Sequence, residues 1–317
     1  MITVDDVREA RPRIAPYVRR TPLERNRTLS RELGTNVYLK LELFQRTGSF
    51  KPRGAFNQIL HLSPEERAAG VVGVSGGNFA QALADAGTTL GVPTRLCMPA
   101  TAPMASVAAT RAYGAEVELA ASFPEVFARA EALRDAGARL LHPFDDPYQM
   151  SGVGTIGLEV HEDLPQVTDI VISIGGGGLI AGIAIALEAL RPGIRVWGVE
   201  TEGADTMGQA LAADRVVQIT PTSLARTLSA PYVAEDALTV MRRHAERYVR
   251  VSDREAFEAG RFLLERAKIN AELAASCTLA AARRVASSFA TGDHVVLLIC
   301  GGNVSFDDWQ HYAKVFA

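Results

Sequence analysis

Cysteine is scarce and unpaired in this chain of 317 residues: Cys97, Cys277 and Cys300 are an odd number, each in an apolar or small-residue setting. That excludes a disulfide framework of the kind that staples small secreted domains. No run of about 18 apolar residues, the length needed to cross a bilayer, occurs anywhere. The first twenty residues, MITVDDVREARPRIAPYVRR, also lack the apolar centre of a signal peptide. A basic excess is missing as well. The formal net charge is -3 with 22% charged residues, which argues against nucleic acid or an anionic membrane surface as a partner. No internal repeat or low-complexity segment stands out, so solenoids and disordered tails are excluded. The expectation is a soluble cytoplasmic protein, whose 48% hydrophobic content can fill one large domain or two moderate ones.

Short β-branched runs alternate with Ala-rich stretches of helical period. The runs are Val37 to Leu43, Val71 to Val74, Thr94 to Met98, Glu116 to Leu119, Asp169 to Ile174, Arg195 to Glu200 and His294 to Ile299. This alternation predicts an α/β fold with mostly parallel sheets. The stretch from Val71 to Leu141 has strand-helix pairs of its own and reads as a smaller domain inserted into a larger one. Ligands of such sheets sit at the carboxyl ends of strands, and the glycine clusters lie there.

Three segments carry chemistry. In Thr47-Gly48-Ser49-Phe50-Lys51-Pro52-Arg53-Gly54-Ala55, Pro52 suits the first turn of a helix and places Lys51 at its positive end. A lysine there, beside Arg53, is expected to have a lowered pKa and to serve as an amine nucleophile. In Ser75-Gly76-Gly77-Asn78-Phe79, a strand end, a turn of small residues and a helix start leave several N–H groups pointing one way, a seat for a carboxylate. An ordinary turn capped by Ser75 would read the same. In Gly175-Gly176-Gly177-Gly178, the backbone is free to curl its N–H groups round a phosphate.

The glycine loop has a competing reading. Gly176 to Ala181 also satisfies the G-x-G-x-x-A pattern of a dinucleotide site, with Glu200 ending the next strand where an acid for the ribose is expected. The anion cradle is common to both readings, so this segment does not decide between them.

Taken together and in order, the motifs resemble the serine/threonine dehydratase branch of fold-type II pyridoxal-phosphate enzymes, which includes serine racemase. They run through Arg20-Thr21-Pro22-Leu23, Leu39-Lys40-Leu41-Glu42, GSFKPRGA and SGGN. His142-Pro143-Phe144-Asp145-Asp146, GTIGLE from Gly154 to Glu159, the tetraglycine loop and Cys300-Gly301-Gly302-Asn303-Val304 follow. The resemblance implies two domains, 1–68 with 148–317 binding the cofactor and 69–147 forming the smaller one, and a homodimer. It implies that Lys51 carries pyridoxal 5'-phosphate as an imine, that Phe50 lies against the ring, and that Gly175 to Gly178 hold the phosphate. Asn78 would bond the ring hydroxyl, the backbone of Ser75, Gly76, Gly77, Asn78 and Phe79 would hold the substrate carboxylate, and Glu272 would lie near the ring. Cys300 falls where the family places a serine or cysteine next to the pyridine nitrogen. The implied activity is loss of water from a small β-hydroxy amino acid, serine or threonine, to give a 2-oxo acid and ammonia.

Several positions depart from the family's pattern. Gly76 replaces the serine that serves serine racemase as a second acid/base, so racemisation is expected to be minor. Phe79 replaces a histidine, the one feature favouring a ligand-sensing protein without turnover. At the cation site of racemase-like members stand Glu200, Ala204 and Thr206, and the missing aspartate leaves a weak ligand set, so no metal is expected. Leu224-Ala225-Arg226-Thr227-Leu228 takes the place of an Ala-Asp-Gly stretch. An Arg226 facing the pocket would pair with a second substrate carboxylate and point to hydroxyaspartate. With its last residue soon after Asn303, the chain is expected to lack a C-terminal regulatory domain.

Overall fold

The structure, a computed structural model, describes residues 1–316. Ala317, the last residue of the expected larger domain, lies outside the described residues. Ten strands build two sheets: β1 (Leu23–Arg25), β2 (Asn36–Lys40), β3 (Val71–Val74), β4 (Thr94–Pro99), β5 (Glu116–Ala120), β6 (Arg139–Leu141), β7 (Asp169–Ser173), β8 (Arg195–Thr201), β9 (Tyr248–Val251) and β10 (His294–Leu298). The larger sheet has the order β1-β2-β10-β7-β8-β9 and the smaller β5-β4-β3-β6. Every pairing is parallel except β1 with β2. The α/β expectation holds, and helices flank both sheets.

The central strands are buried on both faces, as parallel strands between helical layers must be. All five residues of β7, DIVIS, are buried. Helix Gly178–Leu190 behind it is apolar nearly all round and packs on helix Pro147–Asp163 at very short range. A Cβ on Gly182 would come 2.2 Å from the carbonyl of Met150, and one on Gly154 would come 2.8 Å from the carbonyl of Gly182. The glycines of GTIGLE are therefore demanded by backbone contact between two helices.

Three strands, β1, β6 and β9, have no counterpart among the expected ones, and all three are sheet edges of three or four residues. The strand expected to run to Leu43 stops at Lys40, because Glu42–Phe44 turn into a 3-10 segment. That turn delivers Glu42 into a buried charge network.

The network has two cations and two anions. Arg53 donates through Nη2 and Nε to Glu42 at 2.8 and 2.9 Å, and through Nη1 to Glu159 at 2.7 Å. Lys40 Nζ donates to Glu159 at 2.6 Å and to the Thr21 carbonyl at 2.8 Å. The Thr21 hydroxyl donates to Glu42. All five residues are buried. The sequence motifs TPL, LKLE, KPRG and GTIGLE thus meet at one point, two residues beyond Lys51.

Candidate active site

Lys51 is the N-cap of helix Pro52–His61, with Pro52 in the first turn as expected. The segment before it is clamped by an antiparallel bridge between Ser49 and Gly301. Phe50 N–H donates to the Cys300 carbonyl at 3.0 Å and Gly302 N–H to the Gly48 carbonyl at 2.9 Å. Lys51 Nζ donates to the carbonyl of Pro143 at 2.5 Å and lies 4.9 Å from the Phe50 ring centroid and 5.9 Å from that of Phe79. Burial pushes the ammonium down to about 8, with Cys300 and Glu272 pulling the other way. The lowered pKa was expected from a neighbouring Arg53, and that cause is corrected: the Arg53 guanidinium is turned away into the charge network, and desolvation does the work.

The glycine loop leaves the carboxyl end of β7. Gly177 has φ 87° and opens helix Gly178–Leu190, and the N–H groups of Gly175, Gly176 and Gly177 find no acceptor among the described residues. The loop's outer wall is Phe144: a Cβ on Gly176 would fall 2.1 Å from its ring, and one on Gly178 would fall 2.4 Å from its carbonyl. Phe144 is fixed by its neighbour. His142 Nδ1 accepts from the N–H groups of Phe144 and Asp145 at 3.3 and 2.8 Å, and its Nε2 lies 3.1 Å from the Tyr232 hydroxyl. Burial and Lys51 push His142 down to about 4, so the ring is neutral, with its proton on Nε2 facing Tyr232.

The turn after β3 comes from the smaller sheet. Ser75 Oγ accepts from Gly77 N–H at 3.2 Å, a local cap, while the N–H groups of Gly76, Asn78 and Phe79 find no acceptor among the described residues. Both sequence readings of this turn are therefore compatible with its geometry. The Phe79 side chain is buried in the core of the smaller sheet.

Asn78 and Glu272 meet across the cleft between the sheets. Asn78 Nδ2 donates to Glu272 Oε1 at 2.9 Å, Asn303 Nδ2 donates to Asn78 Oδ1 at 2.7 Å, and Thr227 Oγ1 donates to Glu272 Oε1 at 3.1 Å. Burial pushes the Glu272 carboxyl up to about 7, opposed by Thr227, Asn78 and Lys51. Its Oε2 is buried without a partner. Cys300 Sγ lies 3.4 Å from Ser173 Oγ, and burial pushes its thiol up to about 12, so it stays protonated.

The remaining candidates lie elsewhere. Glu200 is fully buried and accepts from Met207 and Gly208 N–H at 2.9 and 3.0 Å and from the Tyr248 hydroxyl at 2.8 Å. It caps helix Thr206–Ala213, leaving neither oxygen for a ribose. The Thr206 hydroxyl donates to the Ala230 carbonyl at 3.0 Å, and Ala204 N–H to the Thr201 carbonyl at 2.9 Å. Arg226 is 52% exposed and stands 3.9 Å from Asp308, a surface residue and not one that faces the pocket; Thr227 reaches Glu272 in its stead. Ser173 and Thr227 went unread as site residues. Asn303 and Pro143 were visible only as members of the CGGN and HPFDD motifs.

These residues suit a phosphorylated carbonyl cofactor. A lysine amine titrates near neutrality, a row of unpaired N–H groups waits at a helix start, and a buried carboxyl oxygen lacks a partner beside them. Residues 14–301 match the family described as pyridoxal-phosphate dependent enzyme. The chain is 39% identical over 308 residues to an L-threonine ammonia-lyase of Thermotoga maritima, covering 96% of this chain and 76% of that one. Its fold matches maize serine racemase with a TM-score of 0.93 at 33% identity, over 99% of this chain and 97% of the other. A serine racemase from Dictyostelium discoideum gives 0.90 at 32% identity, over 96% and 99%. With the lysine, the glycine loop and the turn meeting at one cleft, the chain belongs to the pyridoxal-phosphate dependent enzymes of fold type II, in the branch of the threonine ammonia-lyases.

Proposed function

We propose that this enzyme removes water from L-threonine or L-serine, and that the released enamine takes up water again by hydrolysis to give a 2-oxo acid and ammonia. The observation that carries the reading is Lys51: an amine brought to about 8 by burial, at the start of a helix, with the glycine loop and the Ser75–Phe79 turn on either side. In it, Lys51 binds pyridoxal phosphate and the N–H groups of Gly175 to Gly178 hold the phosphate. Phe50, Asn78 and Glu272 would complete the cofactor's seat. When bound, the cofactor supplies a sink for the electron pair left at Cα. The N–H groups of the Ser75–Phe79 turn seat the substrate carboxylate. Lys51, its ammonium form disfavoured by burial, would take the Cα proton as general base. Cys300 keeps its proton, and a thiol in place of a carboxylate at this position would leave the cofactor a weaker electron sink, which would favour loss of the β-hydroxyl over reprotonation.

In this reading residues 1–68 and 148–317 form the cofactor domain and 69–147 the smaller one. Helix Pro52–His61 is shared, since its Ala55, Phe56 and Ile59 belong to the apolar cluster of the smaller sheet. Among the described residues no helix is long and apolar enough to cross a membrane; the proposed setting is the cytoplasm, as a homodimer. Gly76 offers no hydroxyl for racemisation, and Arg226, exposed beside Asp308, leaves a second substrate carboxylate without its cation.

The test is an absorbance spectrum before and after borohydride, with 2-oxo acid release from L-threonine, L-serine and threo-3-hydroxyaspartate. A band near about 410 nm fixed onto Lys51, with turnover of threonine or serine, is the expected result. A band without turnover of any of the three would replace the lyase with a binding protein, and turnover of hydroxyaspartate alone would return Arg226 to the pocket.

A further inference from the structure

Thr227 spans the mouth of the cleft. Its hydroxyl donates to Glu272 at 3.1 Å. Its methyl lies 3.5 Å from the point where a side chain on Gly77 would begin, and its carbonyl lies 3.4 Å from the corresponding point on Gly175. One residue therefore touches the turn on the smaller sheet, the glycine loop on the larger one, and the buried carboxyl between them. Thr227 is itself exposed, which places it at the mouth of the cleft and not on its floor.

The wall is anchored. Ala225 and Leu228, on either side, are buried. Upstream, the Ser223 hydroxyl and Leu224 N–H donate to the two oxygens of Asp253 at 2.6 and 2.7 Å. The bond to Glu272 fixes the rotamer, leaving the methyl pointed at the turn. A carboxylate seated on the N–H groups of that turn brings its Cα substituent into the space this methyl borders.

We infer that Thr227 is a specificity-determining residue: the bulk of its branched side chain, with the methyl turned to the turn, limits the size of the amino-acid side chain beside the carboxylate seat. The inference rests on the amino-acid reading of the site given above. A rigid wall of this kind discriminates between ligands one methylene apart by about 10- to 200-fold.

The test uses holoenzyme and amino acids that have no β-hydroxyl to lose: L-alanine, L-2-aminobutyrate and L-norvaline, with dissociation constants read from the change in the absorbance spectrum. Wild type is expected to bind norvaline at least about tenfold more weakly than alanine. Thr227→Ser, which keeps the hydroxyl and removes the methyl, should shrink that ratio about tenfold, while Thr227→Val, which keeps the bulk, should hold it within about twofold. An unchanged ratio in Thr227→Ser, or a Thr227→Val ratio as relaxed as that of Thr227→Ser, overturns the inference. Size-dependent binding that responds to Thr227→Ser in an enzyme that releases no 2-oxo acid sinks the lyase reading and supports the wall. Turnover of threonine with an unmoved ratio does the reverse, and failure of all three amino acids to bind, with no release of 2-oxo acid from threonine or serine, removes both.

Discussion

Removing the Arg53 guanidinium should cost far more than removing a whole ion pair from the same network. In Arg53→Met, Glu42 and Glu159, at 0% and 6% exposure, face only Lys40, so one buried carboxylate is left without a counter-charge. Stranding a buried charge in this way costs about 3–5 kcal/mol. Lys40→Met with Glu159→Leu instead removes one charge of each sign and leaves the two-pronged Arg53–Glu42 pair intact. Replacing a buried pair by apolar side chains of similar size is close to neutral, so the double variant should be no worse than about 1 kcal/mol below wild type. Urea unfolding followed by circular dichroism reads both. Burial would push the Glu159 carboxyl up, but Arg53 and Lys40 outweigh it and hold it below its ordinary 4.5. The network's contribution is therefore complete above that pH and drains away as pH falls through the lower folded value. The reasoning fails if Arg53→Met costs under about 1 kcal/mol, or if the double variant costs as much as its two single changes added together.

Two further outcomes follow from single contacts. Gly176→Ala drives a methyl into the Phe144 ring, and overpacking of about 1–3 kcal/mol should appear as about ten- to hundredfold weaker cofactor binding in a fluorescence titration, with the circular dichroism spectrum retained. Burial raises Glu200 from its ordinary 4.5 to about 8, so its stabilising contribution is full below pH 4.5 and is lost as pH rises through about 8. Glu200→Gln should flatten the fall in urea midpoint between pH 5 and 8, and a fall as steep as wild type would refute the assignment.

The lysine, the glycine loop and the turn were legible because each breaks the local pattern: a lysine before Pro52, four glycines after a buried β-branched strand, and small residues at a strand end. The edge strands were not. β1, β6 and β9 are short and each carries an arginine, the composition that keeps an edge from pairing with another chain, and that same composition hides a strand from any search for apolar runs. Residues 226 and 227 show a second limit. In a 3-10 segment adjacent side chains point about 120° apart, and only the burial of Ala225 and Leu228 decides that Thr227 faces the cleft while Arg226 turns to Asp308. Arg53 shows a third, since proximity in sequence to Lys51 suggested an electrostatic effect whereas its side chain is held by Glu42 and Glu159. The charge network was written in four separate motifs, yet nothing in any one of them names its partner.

Helix Pro52–His61 is fastened at its two ends to different bodies: its first turn to the charge network, its later turns to the apolar cluster of the smaller sheet. A lever held this way has its fulcrum beside Arg53. If the smaller sheet swings by about 10° about that point, the far end of a helix roughly 15 Å long travels about 2.6 Å, while a residue at the near end travels a small fraction of that. Lys51 sits at the near end, so under such a swing the lysine would stay in register with the glycine loop while the width of the cleft changed.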